Sequence, residues 1–446
     1  MESNVIGNPA LRACLLLGLV MAAVGCSKLE NAVKCRAADP DTRIAGCSAL
    51  IQAGQIQPEN LSNIYSSRGT AYDRKGDHDR AIQDYSEAIL LNPKNAAAYL
   101  SRGESYYGKR DYDHSIEDLK EALRLSPNNA AANYDLGNAY GGRGVAYDNK
   151  DDYGHAIQEY NNAIQEYGEA IRVKPSYAFA YFGRGLAYGG RGIEHDNRDD
   201  YDHAIQDFNE AIRLRPNEAG AYRYRGFAYN HEGDYGRAIQ DFNEAIRLNP
   251  KDAVAYLSRG VAYIRKGDYD RALQDFNEAI RLNPKDMVVY EARGDAYLFQ
   301  SKLAAATSDF ENAISGAPSS RAAVSWVLML HVTMKRQGRD DSRQLAQVAA
   351  AADLSKWPGP VLKLDMGKMT ASEVMAAAAS PGDERQKWHV CQANFFIGED
   401  ALFHHQQAAA LVRLRAARDG CPKWDTGYVA AQAELGRLGA TASPAH

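Results

Sequence analysis

The groups best placed to do chemistry in this 446-residue chain are its 11 histidines, its 6 cysteines and several close-set carboxylates. His404 and His405 stand side by side, next to Gln406. Neighbouring residues on a helix point to different faces, so the pair does not make a two-ligand metal site and reads as exposed helix histidines. Asp148-Asn-Lys-Asp-Asp152 and Asp196-Asn-Arg-Asp-Asp200 look like loose cation loops. Both lack the spacing and the glycine of a calcium loop, and read as solvated turns. Two Gly-Gly-Arg-Gly runs, at 141–144 and 189–192, raise the chemistry of a phosphate cradle. No strand precedes either run and no Lys-Ser/Thr follows, so neither fits a phosphate loop. With no zinc-protease helix, nucleophile elbow or metal-spaced Cys/His set, the sequence assigns no catalytic residue, no metal and no cofactor. It reads as a binding protein and not an enzyme. A net charge of −5, from 52 basic and 57 acidic side chains, argues against nucleic acid as the partner.

The cysteines point to the compartment. Ala13 to Gly25 is an uncharged, mostly apolar run behind Arg12. It is too short to cross a bilayer core, which takes about 20 residues, and has the length of a secretory signal. Ala23-Val24-Gly25-Cys26 is similar to the lipobox of bacterial lipoproteins. That resemblance implies a signal peptide over 1–25 and a lipid on Cys26. Ser27, where inner-membrane lipoproteins carry Asp, implies the outer membrane with the chain facing the periplasm, held to the membrane by the lipid alone. Cys14 leaves with the signal, so Cys35, Cys47, Cys391 and Cys421 remain. An oxidising compartment permits disulfides, and four cysteines allow three pairings. The two sequence-near pairs, Cys35–Cys47 and Cys391–Cys421, are the favoured set and read as structural staples.

What positions these groups is a repeat. Pro93, Pro127, Pro175, Pro216, Pro250, Pro284 and Pro318 are spaced by 34, 48, 41, 34, 34 and 34 residues. In the best copy Tyr222, Gly226, Tyr229, Ala238, Phe242, Ala245 and Pro250 fall at fixed offsets. This pattern resembles the tetratricopeptide repeat. It implies an all-α, right-handed superhelix of seven helical hairpins over 62–320, after a linker and capping helix at 26–61. Seven residues are nearly two helical turns, so the tyrosines at repeat positions 4 and 11 share one face of the first helix and are scaffold. Proline ends the second helix, and a lone hairpin cannot bury its own apolar face. The third and fourth copies are longer by multiples of seven, and each seven residues rotate a helix face by only about 20°. The first helix is therefore expected to lengthen by two turns, giving two protruding hairpins. Position 7 is Arg68, Arg102, Arg184, Arg225, Arg259 and Arg293, and position 23 is Asp84, Asp118, Asp207, Asp241, Asp275 and Asp309. Their register predicts a bidentate Arg–Asp ladder between the two helices.

Repeats of this kind bind on the inner face of the first helix. In the fourth to sixth copies that face carries Phe179, Phe182, Leu186, Phe227, Val254, Leu257, Val261 and Ile264. An apolar stripe there suits a peptide or helix ligand. Burial of the stripe by the C-terminal region is the competing expectation. That region, 321–446, reads as a helical module with helices at 322–336 and 340–354, a break at Trp357-Pro-Gly-Pro360 and an atypical repeat at 391–422. Trp357-Pro-Gly-Pro360-Val-Leu, Gly367, the run 391–399 and the run 428–439 resemble the C-terminal module of NlpI-type envelope lipoproteins. The resemblance implies a non-enzymatic, dimer-forming adaptor for envelope proteins that brings a peptidoglycan hydrolase to a protease. An assembly or pilot lipoprotein for an outer-membrane complex is the alternative.

Overall fold

The computed structural model describes residues 20–439 apart from positions 55, 151, 196, 319–321, 381–384 and 424, with backbone alone for 20–26 and 195. The expected signal up to residue 19, the Cys26 side chain and the boundary set at 320 lie outside that description. The described residues form helices and no strand, an all-α solenoid arrangement. No described helix is long and apolar enough to cross a membrane.

Among the described residues two helices come first, α1 (Val20–Lys34) and α2 (Pro40–Ala53). Seven helix pairs follow: α3 (Pro58–Arg74) with α4 (His78–Leu91), α5 (Ala96–Gly108) with α6 (Tyr112–Leu125), and α7 (Ala130–Asp148) with α8 (Tyr153–Val173). Then come α9 (Ala178–His195) with α10 (Arg198–Leu214), α11 (Ala219–Glu232) with α12 (Tyr235–Leu248), α13 (Ala253–Arg265) with α14 (Tyr269–Leu282), and α15 (Met287–Phe299) with α16 (Leu303–Gly316). The chain divides into two compact units, Met1–Ala187 and Tyr188–His446, and the division falls within α9.

Local chemistry sets the boundaries. Each second helix of a pair stops two residues before its proline, as at Leu248 and Pro250. Asp77, Asp111, Asp152, Asp234 and Asp268 each accept a backbone N–H at the start of a second helix. These caps satisfy donors that have no intrahelical partner. Within a pair, glycine lets an aromatic ring lie on the neighbouring backbone. A Cβ on Gly260 would stand 2.5 Å from Phe276 Cε1, and one on Gly226 2.8 Å from Phe242 Cε1. Gly260→Ala is therefore expected to lose about 1–3 kcal/mol by overpacking. Gly189→Ala, whose Cβ meets nothing within 4 Å, should instead gain about 1 kcal/mol of helix propensity. Urea denaturation of the two variants tests this, and shifts of the same sign would refute the close-approach argument.

Five Arg–Asp pairs form the expected ladder. Arg68, Arg102, Arg225, Arg259 and Arg293 each donate through Nε and Nη2 to the two carboxylate oxygens of Asp84, Asp118, Asp241, Asp275 and Asp309 at 2.6–2.9 Å. A third arm, unforeseen in the sequence, crosses to the preceding pair: Arg259 Nη1 donates to Asn243 Oδ1 at 2.7 Å and Arg293 Nη1 to Asn277 Oδ1 at 2.6 Å. Each arginine thus ties three helices together.

The long copies differ from expectation in where the added residues go. In the third, α7 has 19 residues and α8 has 21. In the fourth, α9 has 18 and α10 has 17. Both helices lengthen because an unaccompanied extension would leave its apolar face in water. The doubled motif runs antiparallel: a Cβ on Gly137 would meet the Tyr167 ring at 2.8 Å, and one on Gly144 the Tyr160 ring at 3.1 Å. The Gly-Gly-Arg-Gly runs lie inside α7 and α9, where Gly142, Gly144 and Gly192 make the close helix contacts and Gly141 and Gly189 do not. Arg143 Nη2 takes both oxygens of Glu159 at 3.0 Å, restoring the ladder one heptad on.

In the second unit α17 (Ala322–Arg336) and α18 (Ser342–Ala351) follow the repeats, then α19 (Gly359–Asp365) and α20 (Ala371–Ala378). The chain closes with α21 (Gln386–Phe403), α22 (Gln407–Gly420) and α23 (Thr426–Arg437). The pair α21–α22 repeats the glycine contact, since a Cβ on Gly398 would meet Leu414 Cγ at 2.9 Å. Cys391 and Cys421 join its two ends with an S–S distance of 2.02 Å, and Cys35 joins Cys47 between α1 and α2 at 1.96 Å. The core of this module is continuous with the last repeat, from Phe310 through Trp326, Leu328 and Leu330 to Leu414 and Leu435.

Candidate binding trough

First helices of successive pairs pack side by side, α11 on α13 and α13 on α15, so one face is made of their repeat positions 2, 5, 9 and 12. In the second unit this face is a trough of about 300 Å³ that Phe227, Val254, Leu257, Val261 and Ile264 line. Five of the eight residues expected to form a groove are thereby brought together. Ile264 contributes least surface, because it is buried with Val429 of α23 in one cluster. Phe179, Phe182 and Leu186 belong to the first unit, where Phe179 is exposed beside Tyr134 and Tyr177 at 6.5 Å between ring centres.

The C-terminal region forms part of the trough rather than burying all of it. Thr426 and Val429 of α23 make one wall. The segment before α23 is held by the repeats: Tyr235 Oη donates to the Lys423 carbonyl at 3.0 Å, and Arg265 Nη1 to the Lys423 and Asp425 carbonyls at 2.9 and 3.3 Å.

At its C-terminal end the trough meets a second cavity of about 450 Å³, and Glu291, Asp295 and Thr426 line both. Trp357, Trp388, Phe395 and Phe396 give this cavity aromatic walls. Sequence reading missed Glu291 and Asp295. They occupy positions 5 and 9 of the seventh copy, the same inner-face positions that are apolar in the sixth, so the signal was a change of residue class at a known register. Asp295 is buried, and its Oδ1 accepts no hydrogen bond. Burial and then the Glu291 charge push its carboxyl well above the usual range. Burial also pushes Glu291 up to about 6 and raises Asp425.

The other chemistry-bearing groups resolve differently. His404 and His405 are exposed, in the turn between α21 and α22 and not within a helix. Asp152 and Asn197 are helix caps. Asp200, expected to be solvated, is buried and paired with Arg191 at 3.0 Å through Oδ2 and again through Oδ1. Asp151 and Asp196 lie outside the described residues. Among those described, Cys391, Cys421 and Asp425 cluster closely enough for a metal ion, but the two sulfurs are already bonded to each other.

The tetratricopeptide-repeat family model matches residues 67–130, 102–144, 190–253 and 232–287, and a second model for the same repeat matches 155–192. No curated protein matches the chain. Among solved structures, a tetratricopeptide repeat protein from Parabacteroides merdae is similar at 20% identity and a TM-score of 0.46, over 61% of this chain and 98% of that one. MamA is similar at 29% identity and a TM-score of 0.34, over 42% of this chain and 96% of its own. YrrB, described as a repeat protein with an unusual peptide-binding site, is similar at 21% identity and a TM-score of 0.36, over 47% of this chain and 97% of its own. Residues 67–144 and 155–287 of this chain are tetratricopeptide repeats.

Proposed function

We propose that this chain is a scaffold of the bacterial cell envelope that holds a partner protein by a peptide or helix laid in the trough of the second unit. Protein–protein interaction is the role that tetratricopeptide repeats support. The observation that carries the trough is its apolar floor, Phe227, Val254, Leu257 and Val261, which stays open beside α23. Half-buried apolar side chains in a concave surface suit the apolar face of a partner segment.

The place of action is part of the proposal. The apolar run 13–25 ending in Cys26 supports export and a lipid anchor at the outer membrane, and the two cysteine pairs suit an oxidising compartment. The resemblance of the C-terminal region to NlpI-type lipoproteins supports an adaptor that brings peptidoglycan hydrolases to a protease.

Affinity capture from membranes, with partners identified by mass spectrometry, tests both parts. The native protein is expected to recover cell-wall hydrolases or their protease. Cys26→Ser should lose them by losing the anchor, and Leu257→Glu should lose them with the anchor intact and helicity unchanged. Recovery of an outer-membrane barrel or secretin in their place would favour the assembly reading. Undiminished capture by Leu257→Glu would move the site off the trough.

A further inference from the structure

The cavity at the end of the trough combines three carboxylates with aromatic walls, and its acid is under-neutralised. Asp295 is 6% exposed, lines both cavities and has an oxygen that no protein donor reaches. Two guanidinium groups are near: the charge of Arg265 partly offsets Asp295 and Asp425 without a hydrogen bond to Asp295 Oδ1, and Arg385 is paired with Glu194. Arg265 donates to the backbone carbonyls of Lys423 and Asp425. Arg385 donates to both oxygens of Glu194 at 2.9 and 3.1 Å, and its guanidinium lies 5.6 Å from the centre of the Trp388 ring. That last contact shows that this wall takes a guanidinium on an aromatic ring. A buried carboxylate without a partner is costly, and the usual remedies are a proton or a cation. Aromatic rings beside carboxylates favour an organic cation over a bare metal ion.

We propose that the box of Glu291, Asp295, Asp425, Trp357 and Trp388 is a pocket for the charged head of a basic side chain, carried by the same peptide whose apolar residues lie in the trough. The inference rests on the trough being a peptide site, and adds the chemistry that selects the peptide. Glu291, Asp295 and Thr426 are shared by trough and box, so a single extended segment passes from one to the other without leaving the protein surface. The apolar floor supplies contact area. The acidic end supplies direction, because only one orientation of the segment puts its basic residue in the box.

The test uses the full mature chain and two short fluorescein-labelled peptides of leucine, valine and glycine, one with a single arginine and one with citrulline in its place. Citrulline keeps the shape of arginine and removes the charge. Fluorescence anisotropy is expected to give about tenfold tighter binding of the arginine peptide, with the difference shrinking in high salt. Asp295→Asn should bring the two affinities to within about twofold, leaving the citrulline peptide's affinity and the helical circular dichroism unchanged. Glu291→Gln provides the same reading if Asp295→Asn disturbs folding. Equal binding of the two peptides to the native protein overturns the basic pocket while leaving the trough in place. Failure of both peptides to bind overturns the trough and the pocket together. Tighter binding of a glutamate version would reverse the assignment and make Arg265 and Arg385 the readers.

Discussion

Replacing Arg336 with leucine is expected to destabilise the C-terminal module by about 3–5 kcal/mol, the cost of stranding buried charge. Arg336, at the end of α17, takes both oxygens of Glu399 at 2.9 Å and approaches Glu434 at 2.6 Å. The two glutamates come from α21 and α23 and are 1% and 2% exposed. The arginine therefore sits between two buried carboxylates that would otherwise face each other. Arg437 also reaches Glu434, so Glu399 loses most when Arg336 is removed. All four tryptophans of the chain, at 326, 357, 388 and 424, lie in this region. Urea denaturation followed by tryptophan fluorescence therefore reads the module directly. A loss under about 1 kcal/mol would mean that the network contributes little beyond its own desolvation.

Two controls separate charge from packing. Arg336→Leu with Glu399→Leu replaces the pair by apolar groups and is expected to recover most of the loss, since such swaps are often neutral. The pH dependence gives the second. Burial, opposed by Arg336 and aided by Glu434, already pushes the Glu399 carboxyl up to about 7. A carboxyl raised in the folded state costs stability above its unfolded value, near 4.3, and the cost falls away as pH drops toward that value. Without Arg336 that carboxyl rises further, so the variant's deficit should shrink between pH 8 and pH 5. A deficit that grew on acidification would contradict this account.

How much of this was legible beforehand depends on the distance between the residues involved. Pro250, Gly260 and the Arg259–Asp275 pair act within one hairpin, and their spacing repeats down the chain. Period alone was enough to place them. The Asn243 arm of Arg259 joins consecutive pairs at the same spacing of 16 and was overlooked, though the register contained it. The extra heptads were read into one helix, where antiparallel packing demands growth in both. Contacts between remote segments left no periodic trace. Nothing in the repeat register marks Glu194 of α9, whose carboxylate is taken by Arg385, 191 residues away. Tyr235 finds the Lys423 carbonyl across 188 residues. Such pairs arise where the C-terminal module folds back on the repeats, and Arg385 and Lys423 fall outside its one atypical repeat at 391–422, with no period to predict from. The trough was half legible for the same reason: its floor follows the repeat, and its α23 wall does not.

The disulfide between Cys391 and Cys421 is where that remote contact is anchored, and its loss is expected to cost about 3.6 kcal/mol in chain entropy for a 30-residue loop. The same relation gives about 2.8 kcal/mol for the 12-residue loop of Cys35 and Cys47. The larger effect also falls on the more consequential place. Cys391 Sγ lies 3.7 Å from Asp425 Oδ1, the oxygen that caps α23 through the Gly427 N–H at 2.7 Å. Freeing the two sulfurs lets the end of α22 move, and with it the Lys423–Asp425 segment that Tyr235 and Arg265 hold. Cys391→Ala with Cys421→Ala should therefore lower the tryptophan-detected transition by that amount and weaken any ligand that uses the α23 wall of the trough. Cys35→Ala with Cys47→Ala removes a staple from the first unit and should leave the tryptophan signal in place. If both double variants moved the tryptophan transition equally, or if neither did, the C-terminal staple would not be what sets the trough wall. A loss of stability without a change in trough binding would instead mean that the carbonyl contacts of Arg265 and Tyr235 suffice to hold α23.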